Sequence, residues 1–420
     1  MKKIFSRVGR RVGDMIGLDR MNSKFRLFTV NYSFLIFYTM LEGVFVNTLL
    51  YRISPEITIV IIYRAITYIS SAFMFHLAAY TGNKKNPVTV MKIGAGLFLC
   101  TYLVLFFGMD YMANFYVLTA IMSGAGGAFY WQSHSMLLTN YTTKETRDVG
   151  IAILGVIAGV ITLISPVISG FVIKLMPGDL GYRVMFGIGI LAVGSQILMQ
   201  RKLAPIEQEK HKSEILLALR LLRERFSYKM VLSYEFIRGM RDGTFAFILN
   251  MLLFEIVTDE SLIGINTFLT GIMSISGSWV YGKLVRPGNR AVYLLAATTV
   301  MTAFCSIMFF KLSPVTVMTF TVLNAFLQIF VYNAYNNTAY DALVQSESTR
   351  RSMGEMLALR ENAIAIGRLL GLLFMFHFSA SRLGYVITMC ALTAVQYVAS
   401  IFLKTAIKSI NSGESDSMEV

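Results

Sequence analysis

The stretch YEFIRGMRDG, residues 234–243, places four ionisable side chains in an otherwise apolar segment. Successive residues of a helix are turned by about 100°, so Glu235, Arg238 and Asp242 fall within one arc of about 60°. Arg238 can therefore bond Glu235 one turn before it and Asp242 one turn after it. Each carboxylate in such a cluster can bind either a proton or the guanidinium of a neighbouring arginine. Arg241 points further round the helix and needs a partner on another element.

Other ionisable residues lie inside further apolar stretches. On insertion scales a charged side chain at the centre of a membrane helix costs about 2.5–3.5 kcal/mol, so it is retained where it pairs or faces water. Glu42 and Arg64 lie at similar depths and could pair, either as a structural ion pair or as a functional one. Glu361 and Arg368 share one helix face. The candidates for proton coupling or ion pairing are Glu42, Arg64, Glu235, Arg238, Asp242, Glu361 and Arg368.

Uncharged polar and aromatic residues form stripes on further apolar stretches. One stretch has Asn31 and Tyr38 on the face of Glu42, and the sequence FYWQSHSM contributes His134 to another. For His134 a hydrogen bond across helices is the preferred interpretation, and a titrating proton carrier is the alternative. The candidates for lining a substrate cavity are Asn31, Tyr38, Trp131, Gln132, His134, Arg241, Gln328, Tyr332, Tyr335 and Asn336.

The composition predicts that most of this chain lies in a lipid bilayer. Of its 420 residues, 55% are hydrophobic and only 15% are charged. A soluble domain has about 25% charged residues. Helices that cross the hydrocarbon need about 20 mostly apolar residues. The chain contains six such stretches, then a polar segment, then six more; they are residues 27–50, 55–81, 88–108, 112–138, 149–173, 182–200, 229–256, 261–281, 291–311, 314–343, 353–378 and 383–403.

These spans predict an all-α membrane protein with twelve transmembrane helices in two pseudo-symmetric six-helix bundles. The arm, linker and loops on the side of the membrane that holds the N-terminus carry 27 Lys and Arg residues, and the loops on the opposite side carry 5. Basic loops stay in the cytoplasm, so both termini are expected there. The predicted organisation is a basic arm (1–26), a first bundle (27–200), a cytoplasmic linker (201–228), a second bundle (229–405) and a disordered tail (406–420).

The two halves repeat each other at an offset of 200 residues. LEGVFVNTLL (41–50) aligns with RDGTFAFILN (241–250), so that Glu42 meets Asp242. At the same offset Gly82 meets Gly282, each just after the second span of its half. Parallel six-span repeats are one way in which transporters are built, with the substrate site between the halves.

With these features the chain resembles the major facilitator superfamily. The family's loop after the second span usually reads Gly-x-x-x-Asp-Arg-x-Gly-Arg. In GKLVRPGNR, Gly282 and Arg290 match it, and Arg286 stands where Asp is usual; in the first half only Gly82 matches. The resemblance implies a central cavity lined by the first, fourth, seventh and tenth spans, and transport by alternating access.

The sequence lacks the motifs of an enzyme or an ATP-driven pump. It has no nucleophile elbow, no phosphate-binding loop and no metal-ligand spacing. No cofactor is expected, and a proton gradient is the expected energy source. The leading hypothesis is proton-coupled export of an amphipathic or anionic small molecule.

Three other functions remain open. They are a flippase for a lipid-linked anionic glycan, an importer of a sugar or an organic anion, and a receptor or scaffold that transports nothing. The expected partners are the lipid bilayer and a small-molecule or lipid-like substrate. The basic loops account for most of the net charge of +14, so no nucleic-acid partner is expected. A monomer in the cell membrane is expected.

Overall fold

The computed structural model describes residues 18, 21–53, 57–176, 179–206, 214–257, 260–378 and 381–412. In these residues the regular elements are all helical. The long helices are α1 (Ser23–Ile53), α2 (Ile57–Lys84), α3 (Pro87–Phe107), α4 (Met112–Tyr141), α5 (Lys144–Leu175), α6 (Leu180–Gln200), α7 (Phe226–Ile256), α8 (Glu260–Leu284), α9 (Arg290–Phe310), α10 (Pro314–Leu343), α11 (Met353–Phe378) and α12 (Arg382–Ala394, continued by Gln396–Asn411). By length and composition, 8 of the described helices can cross a membrane. The predicted all-helical membrane fold is confirmed.

Several helix boundaries follow from local chemistry. The Asn86 side chain accepts a hydrogen bond from the Val88 amide (2.9 Å), and Pro87 starts α3. Ser313 forms a capping box with Thr316 immediately before α10. An N-cap side chain satisfies an amide of the first helical turn, and proline at the first position has no amide to satisfy.

Two predicted boundaries need correction. α1 already begins at Ser23, inside the predicted arm, and α12 continues to Asn411, inside the tail that was predicted to be disordered from residue 406. Ala406 is fully buried, so this end of α12 is held by packing. Residues 1–17 and 413–420 of the predicted arm and tail lie outside the described residues.

The packing of the first six helices recurs in the second six. α1 packs on α5 and α6, and α7 packs on α11 and α12 in the same way. α4 packs on α2 and α3, and α10 packs on α8 and α9. The two halves meet mainly where α5 contacts α8 and where α2 contacts α11. The structure therefore has the pseudo-symmetry that the sequence repeat predicts. Both ends of the linker leave the bundle at one end, called the linker end below.

Glycines hold α7 and α11 unusually close together. A Cβ atom added at Gly239 would lie 2.2 Å from the Ile364 carbonyl oxygen, and one at Gly367 would lie 2.1 Å from that of Phe236. Such distances leave no room for any side chain. This close approach brings the charged residues of α7 against those of α11.

Gly367→Ala is expected to lower the melting temperature of the purified protein, because the added methyl group must push α7 and α11 apart. Overpacking of this kind costs about 1–3 kcal/mol. Gly96→Ala on α3 is the matched control, since its Cβ atom would have no neighbour within 4 Å. Equal melting temperatures for the two variants in detergent would contradict the close contact.

Candidate functional site

A cavity of about 370 Å³ lies between the two halves and is called the central cavity below. Helices α1, α2, α4 and α5 line one side, and α7, α8, α10 and α11 line the other. Four of the predicted cavity residues line it, namely Trp131, His134, Tyr332 and Asn336. The ionisable lining residues are Arg238, Arg360, Glu361 and Arg368.

Arg238 joins the carboxylates of α7, as its helical spacing predicts. Its Nη1 lies 2.9 Å from Oε2 of Glu235, and its Nε lies 2.9 Å from Oδ2 of Asp242. Asp242 keeps 18% of its side chain exposed, whereas Glu235 keeps none. The two carboxylates therefore differ in their access to water.

A second guanidinium, from α11, completes this network. Arg360 Nε donates to Oε1 of Glu235 (2.7 Å), and Arg360 Nη2 donates to Oδ1 of Asn336 (2.6 Å). Arg238 Nη1 donates to the same Asn336 oxygen (2.9 Å). Oε1 of Glu361 lies 3.7 Å from Nη1 of Arg360, the preceding residue in the chain. Glu235 and Asn336 thus bridge two buried arginines that sequence spacing alone does not join.

Aromatic rings pack against two of the cavity's guanidiniums. The guanidinium carbon of Arg238 lies 4.1 Å from the ring centre of Tyr332, and that of Arg368 lies 5.2 Å from the ring centre of Tyr68. A cation over an aromatic face is stabilised by the ring quadrupole. In the described part of the chain, Arg368 has this ring contact and no ion pair with a carboxylate.

His134 lies among rings rather than among hydrogen-bonding groups. Its ring centre is 4.7 Å from that of Phe28, 4.9 Å from that of Trp131 and 5.3 Å from that of Tyr32. Among the residues described, its buried Nδ1 has no hydrogen-bond partner. A hydrogen bond of His134 across helices is not made through Nδ1 to any described residue, and it stays a prediction for the other ring nitrogen. His134 belongs to the aromatic wall of the cavity.

Asn31 and Tyr38 do not line the central cavity. Gln196 of α6 joins them inside the first half, since its Nε2 donates to the Asn31 carbonyl (3.0 Å) and its Oε1 accepts from the Tyr38 hydroxyl (3.1 Å). Gln396 of α12 has the matching role in the second half: its Oε1 accepts from the Tyr335 hydroxyl of α10 (2.9 Å), and its Nε2 donates to the Ile237 carbonyl of α7 (3.2 Å). Asn31, Tyr38 and Tyr335 thus bond a glutamine within their own halves. The 200-residue offset that pairs Gln196 with Gln396 is the signal that could have found this.

Three further predicted cavity residues lie elsewhere. Gln132 Nε2 donates to the Gly354 carbonyl of α11 (2.8 Å), so it ties the two halves together. Arg241 is 1% exposed, and its Nη2 donates to Asn324 Oδ1 (2.6 Å) within the second half. Gln328 lines a different pocket. A neighbouring helix supplies the polar partner of Gln132 and of Arg241, whereas Gln328 accepts from Asn324 on its own helix (3.2 Å).

Glu42 and Arg64 lie next to each other in the first half. The Tyr63 hydroxyl donates to Glu42 Oε1 (3.4 Å), and Glu42 interacts electrostatically with Arg64. Glu42 is 6% exposed and is not among the residues that line the central cavity. The predicted proximity of the two charges is found.

An ion-pair network at the linker end joins the halves and is called the linker-end lock. Arg290 of α9 contacts Asp148 of α5 through two bonds, Nε to Oδ1 (3.1 Å) and Nη2 to Oδ2 (2.7 Å). Arg290 Nη1 also donates to Asp341 of α10 (2.6 Å), and Arg147 of α5 bonds the other oxygen of Asp341. Three of these four residues are 1–2% exposed, and Asp341 is 5% exposed.

The other loop-motif residues have structural positions. A Cβ atom on Gly282 would lie 2.7 Å from that of Ala152, at the contact of α8 with α5, whereas one on Gly82 would have no neighbour within 4 Å. Arg286 donates to the carbonyls of Val285 (2.8 Å) and Gly282 (3.3 Å), so it caps the end of α8. Gly282 and Arg290 both contact the first half, and of the motif residues in the described part of the chain Arg290 bonds side chains there.

Comparisons with known proteins agree with this architecture. A family model described as Major Facilitator Superfamily matches residues 27–372. An uncharacterized protein, YqgE of Bacillus subtilis, is 22% identical over 385 residues, which are 90% of this chain and 89% of that one. In the solved structures, a bacterial homologue of the iron transporter ferroportin in an outward-facing state has a TM-score of 0.71 at 15% identity, covering 93% of this chain and 100% of that one.

Two further solved structures share the fold. The human organic anion transporter MFSD10 has a TM-score of 0.67 at 14% identity, covering 94% of this chain and 99% of that one. The fucose:proton symporter of E. coli has a TM-score of 0.67 at 12% identity, covering 90% of this chain and 98% of that one. The chain therefore belongs to the major facilitator superfamily, and it is a membrane transporter and not an enzyme.

Proposed function

We propose that this transporter exports an amphipathic organic anion from the cell in exchange for protons. It works by alternating access as a monomer in the plasma membrane, and the described state is closed at the linker end. The linker-end lock, fully buried and spanning both halves, supports that state. The positive-inside bias of the loops supports a cytoplasmic linker end.

The residues that line the central cavity support the proposed substrate class. Arg238 and Arg360 are already bonded to Glu235, whereas the Arg368 guanidinium contacts the Tyr68 ring and has no carboxylate partner among the described residues. Arg368 is therefore the cation that is free to receive a carboxylate. Trp131 and Tyr332 offer apolar surface for the rest of the ligand. Ligand pockets usually measure about 300–1,000 Å³, and 370 Å³ favours a small molecule over a lipid-linked glycan.

Arg368→Gln is expected to weaken the binding of aromatic carboxylates about tenfold or more. A hydrogen bond to a charged group contributes about 1.5–3 kcal/mol, and about 1.4 kcal/mol corresponds to a factor of ten. Binding is measured by ligand-induced thermal stabilisation of the purified protein. Arg286→Gln, at the end of α8, is the control and should leave the affinity unchanged. Equal affinities of wild type and Arg368→Gln would remove Arg368 from the site.

Asp242 is the proposed proton carrier. Protonating Asp242 takes one partner from Arg238, which keeps its bonds to Glu235 and Asn336. Protonating Glu235 would instead remove the carboxylate that two buried arginines share. Asp242 is also partly exposed, so a proton can reach it at lower cost. Release of Arg238 by a protonated Asp242 would then bias the rocking of the two halves.

A further inference from the structure

A second pocket, called the threonine pocket below, adjoins the central cavity. It has a volume of about 390 Å³ and is lined by α5, α7, α8 and α10. Thr162, Ser274 and Ile329 line both the threonine pocket and the central cavity. The two spaces are therefore neighbours, close enough for the two ends of one ligand. The polar lining of the threonine pocket includes Thr267, Thr270, Thr321 and Gln328.

A chain of hydrogen bonds runs from a buried cation to this pocket. Arg241 Nη2 donates to Asn324 Oδ1 (2.6 Å), and Asn324 Nδ2 donates to Gln328 Oε1 (3.2 Å). A guanidinium can only donate, so it fixes the orientation of the first amide, and the first amide fixes that of the second. The Nε2 group of Gln328 is left as a donor, and no bond to it is found among the described residues.

The cation behind this chain is strongly desolvated. Arg241 is 1% exposed, and in the described part of the chain its guanidinium bonds the Asn324 oxygen and the Met301 sulfur, but no carboxylate. Hydrogen bonds in series polarise one another, most strongly in a medium of low dielectric constant. Gln328 Nε2 is therefore an N–H donor at the end of a hydrogen-bond chain that begins at the positively charged Arg241. It should bind a hydrogen-bond acceptor, and most strongly a negatively charged one.

We propose that the threonine pocket is a second recognition site for the transported substrate and that it binds a carboxylate through Gln328 Nε2. The inference rests on the proposed function, because it assigns the first carboxylate of the same molecule to Arg368. The substrate class is then an elongated organic dianion with an apolar middle. Its two ends occupy the central cavity and the threonine pocket.

Asn324→Asp reverses the polarity of the site with almost no change in shape. The introduced carboxylate accepts from Arg241 and, having no donor, forces Gln328 to turn its amide and donate inward. Gln328 Oε1 then faces the pocket, so the pocket prefers a hydrogen-bond donor. Gln328→Leu removes the polar group without adding a charge and is the second variant. Asn140→Asp, at the exposed end of α4, is the matched control for the added charge.

The probes are linear carboxylates of increasing chain length with three kinds of far end: methyl, carboxylate and ammonium. Affinities come from thermal stabilisation of the full-length protein. We expect wild type to bind the dicarboxylate about tenfold more tightly than the ω-amino acid of its best length, since a charge-assisted hydrogen bond is gained. Asn324→Asp should reverse this order, Gln328→Leu should abolish the difference, and Asn140→Asp should retain it.

The monocarboxylates separate this inference from the proposed function. If they fail to bind while Asn324→Asp still reverses the preference between the other two probes, the proposed anion site at Arg368 falls and the threonine pocket stands. If the ratio of dicarboxylate to ω-amino acid affinity is the same in wild type and Asn324→Asp at every length, or if neither probe binds wild type, the threonine pocket is not a recognition site.

Discussion

Glu235→Gln is expected to lower the free energy of unfolding by about 3–5 kcal/mol and to abolish transport. Glu235 is fully buried and accepts from Arg238 (2.9 Å) and from Arg360 (2.7 Å). The substitution keeps the shape of the side chain but removes the charge that two buried guanidiniums share. Breaking a buried ion pair by removing one partner is costly because the remaining charge stays desolvated. Unfolding in mixed detergent micelles measures the loss of stability.

Two controls separate this effect from a general intolerance of substitution. Glu347→Gln changes the same functional group at an exposed position and should alter the stability little. Glu235→Gln combined with Arg360→Met should be more stable than Glu235→Gln alone, because the second change removes one of the uncompensated charges. An exposed ion pair contributes less than about 1 kcal/mol to stability. If Glu235→Gln lowered the free energy of unfolding by no more than that, the buried network would be contradicted.

Asp148→Asn is expected to shift the protein toward the state that is open at the linker end, by about a hundredfold or more. In the closed state the two bonds from Arg290 to the Asp148 carboxylate would be reduced to one bond to a neutral amide oxygen, and Arg147 and Arg290 would be left to share the single charge of Asp341. Opening brings these groups into water, so the cost of about 3–5 kcal/mol is paid in the closed state alone. Each 1.4 kcal/mol changes the ratio of states about tenfold.

Spin-label distances between Lys84 and Lys283, both exposed at the linker end, report this shift after the native cysteines have been replaced. Tyr281→Phe is the control, because it removes a hydroxyl that donates to Asp148 (3.0 Å) and accepts from Asn337 (3.1 Å) but removes no charge. It should move the distance distribution only slightly. A wild-type distribution in Asp148→Asn would mean that the linker-end lock does not hold the halves together.

The contacts of Arg238 could be predicted because they are local. Residues three and four positions apart on a helix are neighbours whatever the rest of the fold does, so Glu235 and Asp242 were within reach. The repeat at an offset of 200 residues likewise predicted two similar halves. The bond from Arg360 to Glu235 spans 125 positions in the chain and depends on the glycine contact of α7 with α11, which no local spacing reveals.

The direction in which a polar helix face points was the weakest prediction. Asn31 and Tyr38 share a face with Glu42, and Tyr335 lies on a stripe of uncharged polar residues, but Gln196 and Gln396 bond them inside each half. A single sequence shows that a polar face needs partners without showing whether water or another helix supplies them. Of the residues of the linker-end lock, Arg290 was predicted from the loop motif, and Arg147, Asp148 and Asp341 were missed for a similar reason. Arg147 and Asp148 are adjacent in the chain, yet their partners lie on α10 and α9, far away in the sequence.

Proteoliposome transport of a carboxylate that stabilises the protein, measured with and without an imposed pH gradient, tests the proposed cycle most directly. Wild type should accumulate the ligand against its concentration gradient when the pH gradient is present. Asp242→Asn should lose this accumulation but keep the exchange of ligand across the membrane at equal pH, since its neutral side chain can no longer couple a proton to Arg238. Accumulation at the wild-type level in Asp242→Asn would contradict proton coupling through the α7 network.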